Sequence, residues 1–430
     1  MYILNKLGDV VCGTLLPAIL FVSGTVFFFS LAGFIFKIKK RPKQKSSRKQ
    51  SGASALWLAL GGTLGVGNIT GVCSAVYLGG AGCVFWIWVC AILCAATKYA
   101  ETVLAVGYRE TDGNGKAHGG APYYMEKGLG SKLLPRVFCV LCVICAFTLG
   151  NCTQINAASE LGQITLGAKR WVFAVFFAVC LFFITGGRGD GIKKFTSRVV
   201  PFLCVGYSVL CLWTVFLFRE NVPSVTARIF REAFTPQAGM GGVAAYICSP
   251  ALRLGITRGV TSNEAGCGTA PFAYASDPDT DAVRSGHLGI AEVLIDTLVL
   301  CTLTAYAVLT PGITLSESAS ESVTDAFYAT GATAVLPLLG ISASVFALAS
   351  ASAWSFYAAR ACEYLGFKKG KFPFFALLYS AFAALSCFFS EAWAWTLSDI
   401  TVSAMASLNI FTLLLMIGRI RDITKSDSAL

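Results

Sequence analysis

Two stretches of this chain carry polar chemistry inside apolar runs. The first, 60-LGGTLGVGNITG-71, holds five glycines, Thr63, Asn68 and Thr70 within a hydrophobic run from Ala53 to Leu78. The second, 253-RLGITRGVTSNEAGCGTAPFAYAS-276, holds Arg253, Arg258, Asn263, Glu264, Gly266, Gly268 and Pro271. Glycine at this density favours unwinding, and an unwound segment frees backbone N–H and C=O groups that lipid cannot satisfy. Such a segment persists where it lines a cavity or meets a ligand. The N-terminal end of a half-helix offers positive potential and free N–H donors, which suit a carboxylate. The opposite half-helix end offers carbonyl oxygens, which suit a small hard cation. The chemistry these residues fit is the binding of a zwitterion beside a cation.

The elements that must position them are membrane helices. Of 430 residues 55% are hydrophobic and 13% charged, against about 25% charged in ordinary soluble domains. Mean hydropathy is +0.67. Apolar runs of helical length recur between short polar loops, the pattern of an all-α polytopic membrane protein; a β-barrel would show shorter, alternating segments. The chain divides into eleven predicted spans: 10–36, 53–78, 81–107, 133–153, 170–187, 197–218, 241–273, 287–310, 333–363, 372–390 and 393–418. The first run is too long for a signal-peptide core and reads as a retained span.

Lys and Arg alternate with the loops. The loop 37-KIKKRPKQKSSRK-49 alone holds eight, one set of alternate loops holds 25 and the other six, while Lys98, Arg253 and Arg258 lie inside spans. By the positive-inside rule the N-terminus lies outside and the C-terminus inside, in the cell membrane. Orientation thus accounts for the net charge of +11, and no nucleic-acid partner is implied.

The whole of 1–430 reads as one membrane transport domain. Taking 10–36 as an extra N-terminal helix leaves two sets of five spans, 53–218 and 241–418, the second inverted because five is odd. The two Gly-broken spans, the second and the seventh, are then the first of each set. Paired broken helices at matched positions of inverted halves point to a transporter's binding site. Close helix packing also favours glycine, but it does not call for Asn68, Asn263 and Glu264 beside it.

Other polar groups have simpler expectations. Most of the 17 cysteines sit in apolar runs, with Cys139, Cys142 and Cys145 on one helix face, and read as small packing residues. Lys98 and Glu101 are spaced for an intrahelical pair. Asn68 is expected to cap a half-helix. Glu264 is expected to hold the seventh span in its broken shape, through Arg258 or an exposed N–H. Asp296 is expected to bond to neighbouring helices. Gln154 and Asn156, at the outer end of the fourth span, are expected to line a vestibule or meet water. Trp86 and Trp88 suit the outer interface. An intramembrane enzyme is not supported: the chain has no H-E-x-x-H and no Ser–His or Ser–Lys pair at depth. A passive channel would be built from repeated rings or subunits.

Four blocks, 61-GGTLGVGNITGV-72, 79-GGAGCVFWIWV-89 with 96-ATKYAE-101, 119-GGAPYYMEKGLG-130 and 259-GVTSNEAGCGTAP-271, resemble the alanine or glycine:cation symporter family. That family, the sodium:alanine symporters, has the LeuT-like fold of the amino acid-polyamine-cation superfamily. The similarity runs from about Leu16 to Arg421. It implies import of alanine, glycine or a similar small amino acid with Na⁺ by alternating access, no organic cofactor and no obligate protein partner. It places the substrate carboxylate at the backbone of Gly65, Val66, Gly67 and Asn68, near Thr70. Ser262, Asn263 and Gly266 would close the pocket, and Phe346 and Trp354 would limit its room. The ion would lie among the carbonyls of Gly61, Leu64 and Phe346 and the hydroxyl of Ser350. Where the family commonly has two adjacent hydroxyl residues this chain has Ala349 and Ser350. That departure leaves H⁺ coupling, or another small solute, as the alternative.

Overall fold

The computed structural model describes residues 16–35, 52–113, 115–186, 188–235, 249–367 and 372–429. The ends of the first predicted span, the basic loop 37–49 and residues 241–248 of the seventh lie outside them. The described chain is helical except for one short hairpin, β1 (Glu110–Thr111) with β2 (Ala117–His118). In chain order the helices begin with α1 (Leu16–Ile35), α2 (Ala53–Thr63), α3 (Thr70–Gly79), α4 (Cys83–Gly107), α5 (Ala121–Leu129) and α6 (Leu134–Phe147). A π-helical turn, Thr148–Thr153, carries α6 into α7 (Gln154–Leu166). Then come α8 (Arg170–Gly186), α9 (Arg188–Leu217), α10 (Val222–Ala233), α11 (Pro250–Asn263) and α12 (Ala270–Ala275). A second π-helical turn, Leu294–Cys301, joins α13 (Ala282–Val293) to α14 (Thr302–Leu309). The last elements are α15 (Ala319–Tyr328), α16 (Val335–Tyr364), α17 (Phe372–Ser386), α18 (Glu391–Leu415) and α19 (Ile417–Ala429).

Seven of these segments are long and apolar enough to cross a membrane: α1, α4, α6 with α7, α9, α13 with α14, α16 and α18. The pair α2 and α3 makes an eighth, bent by 64° at its break. The helices α8 and α17 are apolar but shorter. Large apolar side chains face outward along them, with Phe202 80%, Phe29 76% and Phe183 72% exposed, as a lipid-facing surface requires.

The core is built for close approach. Along α16 the residues Ala343, Ala347, Ala349, Ala351 and Ala353 are all fully buried. Where α11 crosses α4, a Cβ on Gly255 would meet the Cys83 carbonyl at 2.6 Å, and one on Gly259 would meet Cys90 Sγ at 2.8 Å. Small residues at such crossings let polar backbone and side chains of neighbouring helices reach each other.

The fourth predicted span ends too early. Its helix runs from Leu134 to Leu166, well past residue 153. Polar residues that resemble a water-facing end are instead buried and bonded inward: Asn156 Nδ2 donates to the carbonyls of Ser386 and Phe389, at 3.0 and 2.7 Å. Asn151 Nδ2 donates to the Tyr379 carbonyl at 2.9 Å. Neither Gln154 nor Asn156 meets water, since each is under a tenth exposed.

Candidate functional site

The first break follows from local backbone chemistry. α2 ends at Thr63, Leu64 turns extended at φ −73° and ψ 98°, and a single 3₁₀ turn, Val66–Asn68, precedes α3. The N–H groups this frees are met one by one. Gly65 N–H donates to Asn68 Oδ1 at 3.3 Å, and Val66 N–H donates to Gln154 Oε1 at 2.8 Å. Asn68 therefore caps as expected; Gln154, expected to line a vestibule or meet water, instead closes the break from α7. Thr70 Oγ1 donates back to the Val66 carbonyl at 3.2 Å.

Gly65 leaves room for this contact: a Cβ would lie 2.2 Å from Gln154 Oε1 and push the amide aside. Gly67 differs. It is the one residue of 61–70 that keeps partial exposure, and a Cβ on it would find nothing nearer than Trp395 Cη2 at 4.0 Å. A small open space adjoins the break at this glycine.

The second break separates α11 from α12. Glu264 takes φ 52°, the only described non-glycine residue with positive φ, and Gly266 and Gly268 follow at 83° and 78°. Asn263 Oδ1 accepts the Ala265 N–H at 2.9 Å. Asn409 Nδ2 holds the Gly266 carbonyl at 2.9 Å, and Gly268 N–H donates to Glu101 Oε2 at 3.0 Å. Glu264 does not pair with Arg258. Its Oε1 accepts Trp354 Nε1 and its Oε2 accepts Thr269 Oγ1, each at 2.8 Å. Arg258 instead lies over the Trp395 ring, 4.3 Å from its centroid, with Glu391 and Asp399 of α18 within electrostatic reach.

The breaks meet at a buried polar knot. Asn68 Nδ2 donates to Ser262 Oγ at 3.2 Å and to Asp296 Oδ1 at 2.7 Å. Ser262 Oγ and Thr297 Oγ1 donate to Asp296 Oδ2 at 2.6 and 2.8 Å. Cys301 Sγ lies 3.3 Å from Ser262 Oγ. The π-helical turn swings Asp296 into this place, which a straight apolar helix pattern does not announce. Three neutral donors thus ring the Asp296 carboxyl at the junction.

On α16, Ser350 Oγ donates to the Gly62 carbonyl at 3.0 Å, one residue from the expected Gly61. Leu64 is fully buried one turn on, and Gly61 packs against Thr196 of α9. Phe346 meets Tyr207 edge-on at 5.7 Å. Trp354 packs so tightly on α6–α7 that a Cβ on Gly150 would lie 2.3 Å from it. The Lys98–Glu101 pair exists at 3.6 Å, but Lys98 lies nearer Glu292, at 3.2 Å. Glu292 escaped sequence reasoning because its partner is 194 positions away. Trp86 and Trp88 are committed to the Ala233 carbonyl and Thr302 Oγ1, both at 2.8 Å. Among the described residues no group of His, Cys, Asp and Glu has the arrangement of a transition-metal site.

What this arrangement can do is bind, not catalyse. It presents non-helical backbone held by side-chain amides, a set of amides and hydroxyls, and an open space at Gly67. The family model described as the sodium:alanine symporter family matches residues 2–427. A relative from Methanococcus maripaludis named as the sodium/alanine symporter AgcS is 31% identical over 395 residues, covering 90% of this chain and 86% of that one. Among solved structures, MhsT in complex with L-phenylalanine superposes with a TM-score of 0.55 at 14% identity, covering 88% of this chain and 90% of that one. A manganese transporter from Eremococcus coleocola superposes as well, with a TM-score of 0.56 at 12% identity, covering 86% and 79%. Likeness at that level shows the shared LeuT-type fold alone.

Proposed function

The chain belongs to the sodium:alanine symporter family, a family of multi-pass membrane transporters rather than enzymes, and on that premise we propose that it imports a small neutral amino acid, alanine or glycine, together with Na⁺ by alternating access. The observation that carries this reading is the junction of the two breaks, where Asn68 on one side bonds Ser262 on the other at 3.2 Å beside the open space at Gly67. The substrate carboxylate takes the N-terminal end of α3, where Gly67 lets it approach the backbone. Gln154 and Asn68, already on the N–H groups of Val66 and Gly65, set the shape of that cradle.

The ion takes the carbonyl end of α2, with Gly61, Leu64, Phe346 and Ser350 around it. The contact from Ser350 Oγ to the Gly62 carbonyl supports this, because it brings a hydroxyl from α16 to the last turn before the break. One positive charge moving inward contributes about 2.3 kcal/mol per 100 mV. A tenfold ion gradient adds about 1.4 kcal/mol, so one ion can sustain accumulation of roughly a few hundredfold.

In this reading eleven spans cross the cell membrane, with the N-terminus outside and the C-terminus cytoplasmic. Two inverted sets of five follow one extra helix, and α2–α3 and α11–α12 are corresponding members. A second reading, H⁺ in place of Na⁺, rests on Ala349, which supplies no hydroxyl beside Ser350. Isotope uptake by the purified protein in liposomes, across small amino acids and in sodium, lithium and proton gradients, decides between them. Saturable alanine or glycine uptake driven by sodium is expected. Uptake that follows pH and ignores sodium favours the second reading, and none under any gradient rejects both.

A further inference from the structure

Four ionisable side chains surround the second break, and their charges do not balance. Lys98 and Glu101 come from α4, Glu292 from α13 and Glu264 from the end of α11; all are at most 2% exposed. Fully ionised, they would hold three negative charges against one positive. Lys98 Nζ reaches Glu292 at 3.2 Å and Glu101 at 3.6 Å. Glu264 has no cation within ion-pair distance among the described residues; its partners are the Trp354 indole and the Thr269 hydroxyl. Buried charge without a partner is costly in a membrane interior. The location adds to the cost, because Glu264 stands at the C-terminal end of α11, where the helix dipole already presents negative potential.

The same geometry accepts the neutral acid without rearrangement. Trp354 Nε1 can only donate, so Oε1 remains an acceptor. The Thr269 hydroxyl can turn about its bond and accept from a protonated Oε2 over the same 2.8 Å. Beyond the cluster, the Tyr357 hydroxyl is fully buried with no hydrogen-bond partner, and it lies within electrostatic reach of Glu264 and Glu292. That hydroxyl also touches the first break: a Cβ on Gly62 would meet it at 2.6 Å. An unmet buried hydroxyl thus lies between the cluster and the first break.

We propose that Glu264 is a proton-binding site, taking up and releasing one H⁺ as the second break changes shape during transport. The exchange is carboxylate plus proton to carboxylic acid, with water as source and sink. It deepens the transport reading and rests on it only for the link to cargo. The groups that tune it are Lys98 and Glu101 from α4, Glu292 from α13 and Tyr274 from α12. Tyr357 from α16, Cys142 and Cys145 from α6 and Cys267 of the break itself complete the set. When the break moves, the indole and hydroxyl leave Glu264 together, and the balance between acid and carboxylate shifts with them.

The test is infrared difference spectroscopy of the purified full chain, titrated from acid to alkaline pH, then repeated with alanine. A protonated-carboxyl stretch that bleaches on titration and shifts with alanine is expected, and Glu264→Gln should remove it while Glu101→Gln and Glu292→Gln retain it. In liposomes with an internal pH dye, Glu264→Gln should keep alanine exchange and lose alanine-linked proton movement. Should that variant fail to fold, Trp354→Phe serves instead. It removes a donor that favours the ionised form, so the band's midpoint moves to higher pH. A band that never titrates, one that survives Glu264→Gln, or a midpoint indifferent to Trp354→Phe overturns the proposal. The pH titration needs no substrate, so absence of alanine uptake would sink the transport reading and leave this one standing.

Discussion

Gly67→Ala separates the ligand's space from the protein's own packing. The added methyl finds no protein atom within ordinary contact, Trp395 Cη2 being 4.0 Å away, and the residue sits in a helical turn where alanine is at ease. The fold should therefore tolerate it, with an unchanged melting temperature in detergent. If the substrate carboxylate approaches this glycine, the methyl occupies the ligand's room. Overpacking of a filled site costs about 1–3 kcal/mol. At about 1.4 kcal/mol per decade, alanine affinity should fall roughly 5- to 150-fold, read as a raised KM for uptake and a raised Kd by equilibrium binding. Gly65→Ala supplies the contrast. Its Cβ would sit 2.2 Å from Gln154 Oε1, so the glutamine must swing away and leave the Val66 N–H unmet. An unmet buried donor costs about 1–3 kcal/mol, and here the loss appears in protein stability as well as in uptake. Wild-type KM in Gly67→Ala, alongside an intact fold, would refute the placement of the cargo at this break.

Ser350→Ala should weaken the sodium dependence of uptake while glycine binding at saturating sodium persists; unchanged half-saturation by sodium would contradict the ion assignment. Lys98→Met should be severely destabilising, by about 3–5 kcal/mol, since it strips the cation from two buried carboxylates, Glu101 and Glu292. Adding Glu292→Gln should recover much of that loss, measured by melting temperature and yield of folded protein. Asp296→Asn turns one accepting oxygen into a donor facing Asn68, Ser262 and Thr297. It should cost about 1–3 kcal/mol in stability and depress uptake, and a neutral result would show the junction is not needed.

The breaks were legible in the sequence because glycine and asparagine have no other reason to crowd into an apolar run. Asn68 capping its own turn and Asp296 bonding its neighbours follow from the same logic. What was not legible depends on contacts between distant segments. Gln154 lies in a run of polar residues that reads like a helix leaving the membrane, yet its amide oxygen is spent on Val66, 88 positions away. Glu264 offered Arg258 as a partner because the two are close in sequence, whereas the fold gives the carboxylate to Trp354 on α16 and the guanidinium to Trp395 on α18. The π-helical turns are equally silent: each shifts the register of one helix by a fraction of a turn, and no residue type demands it.

Two thiols stand beside the breaks, Cys301 against Asn68 and Ser262, and Cys267 between Gly266 and Gly268. Both are buried and free of disulfide bonds. If the chain alternates access as proposed, a rearrangement that admits water to the cargo should also admit an alkylating reagent to one of them. The native chain thus carries its own reporters, and the rate at which maleimide marks them, with and without amino acid, times how often each doorway swings wide.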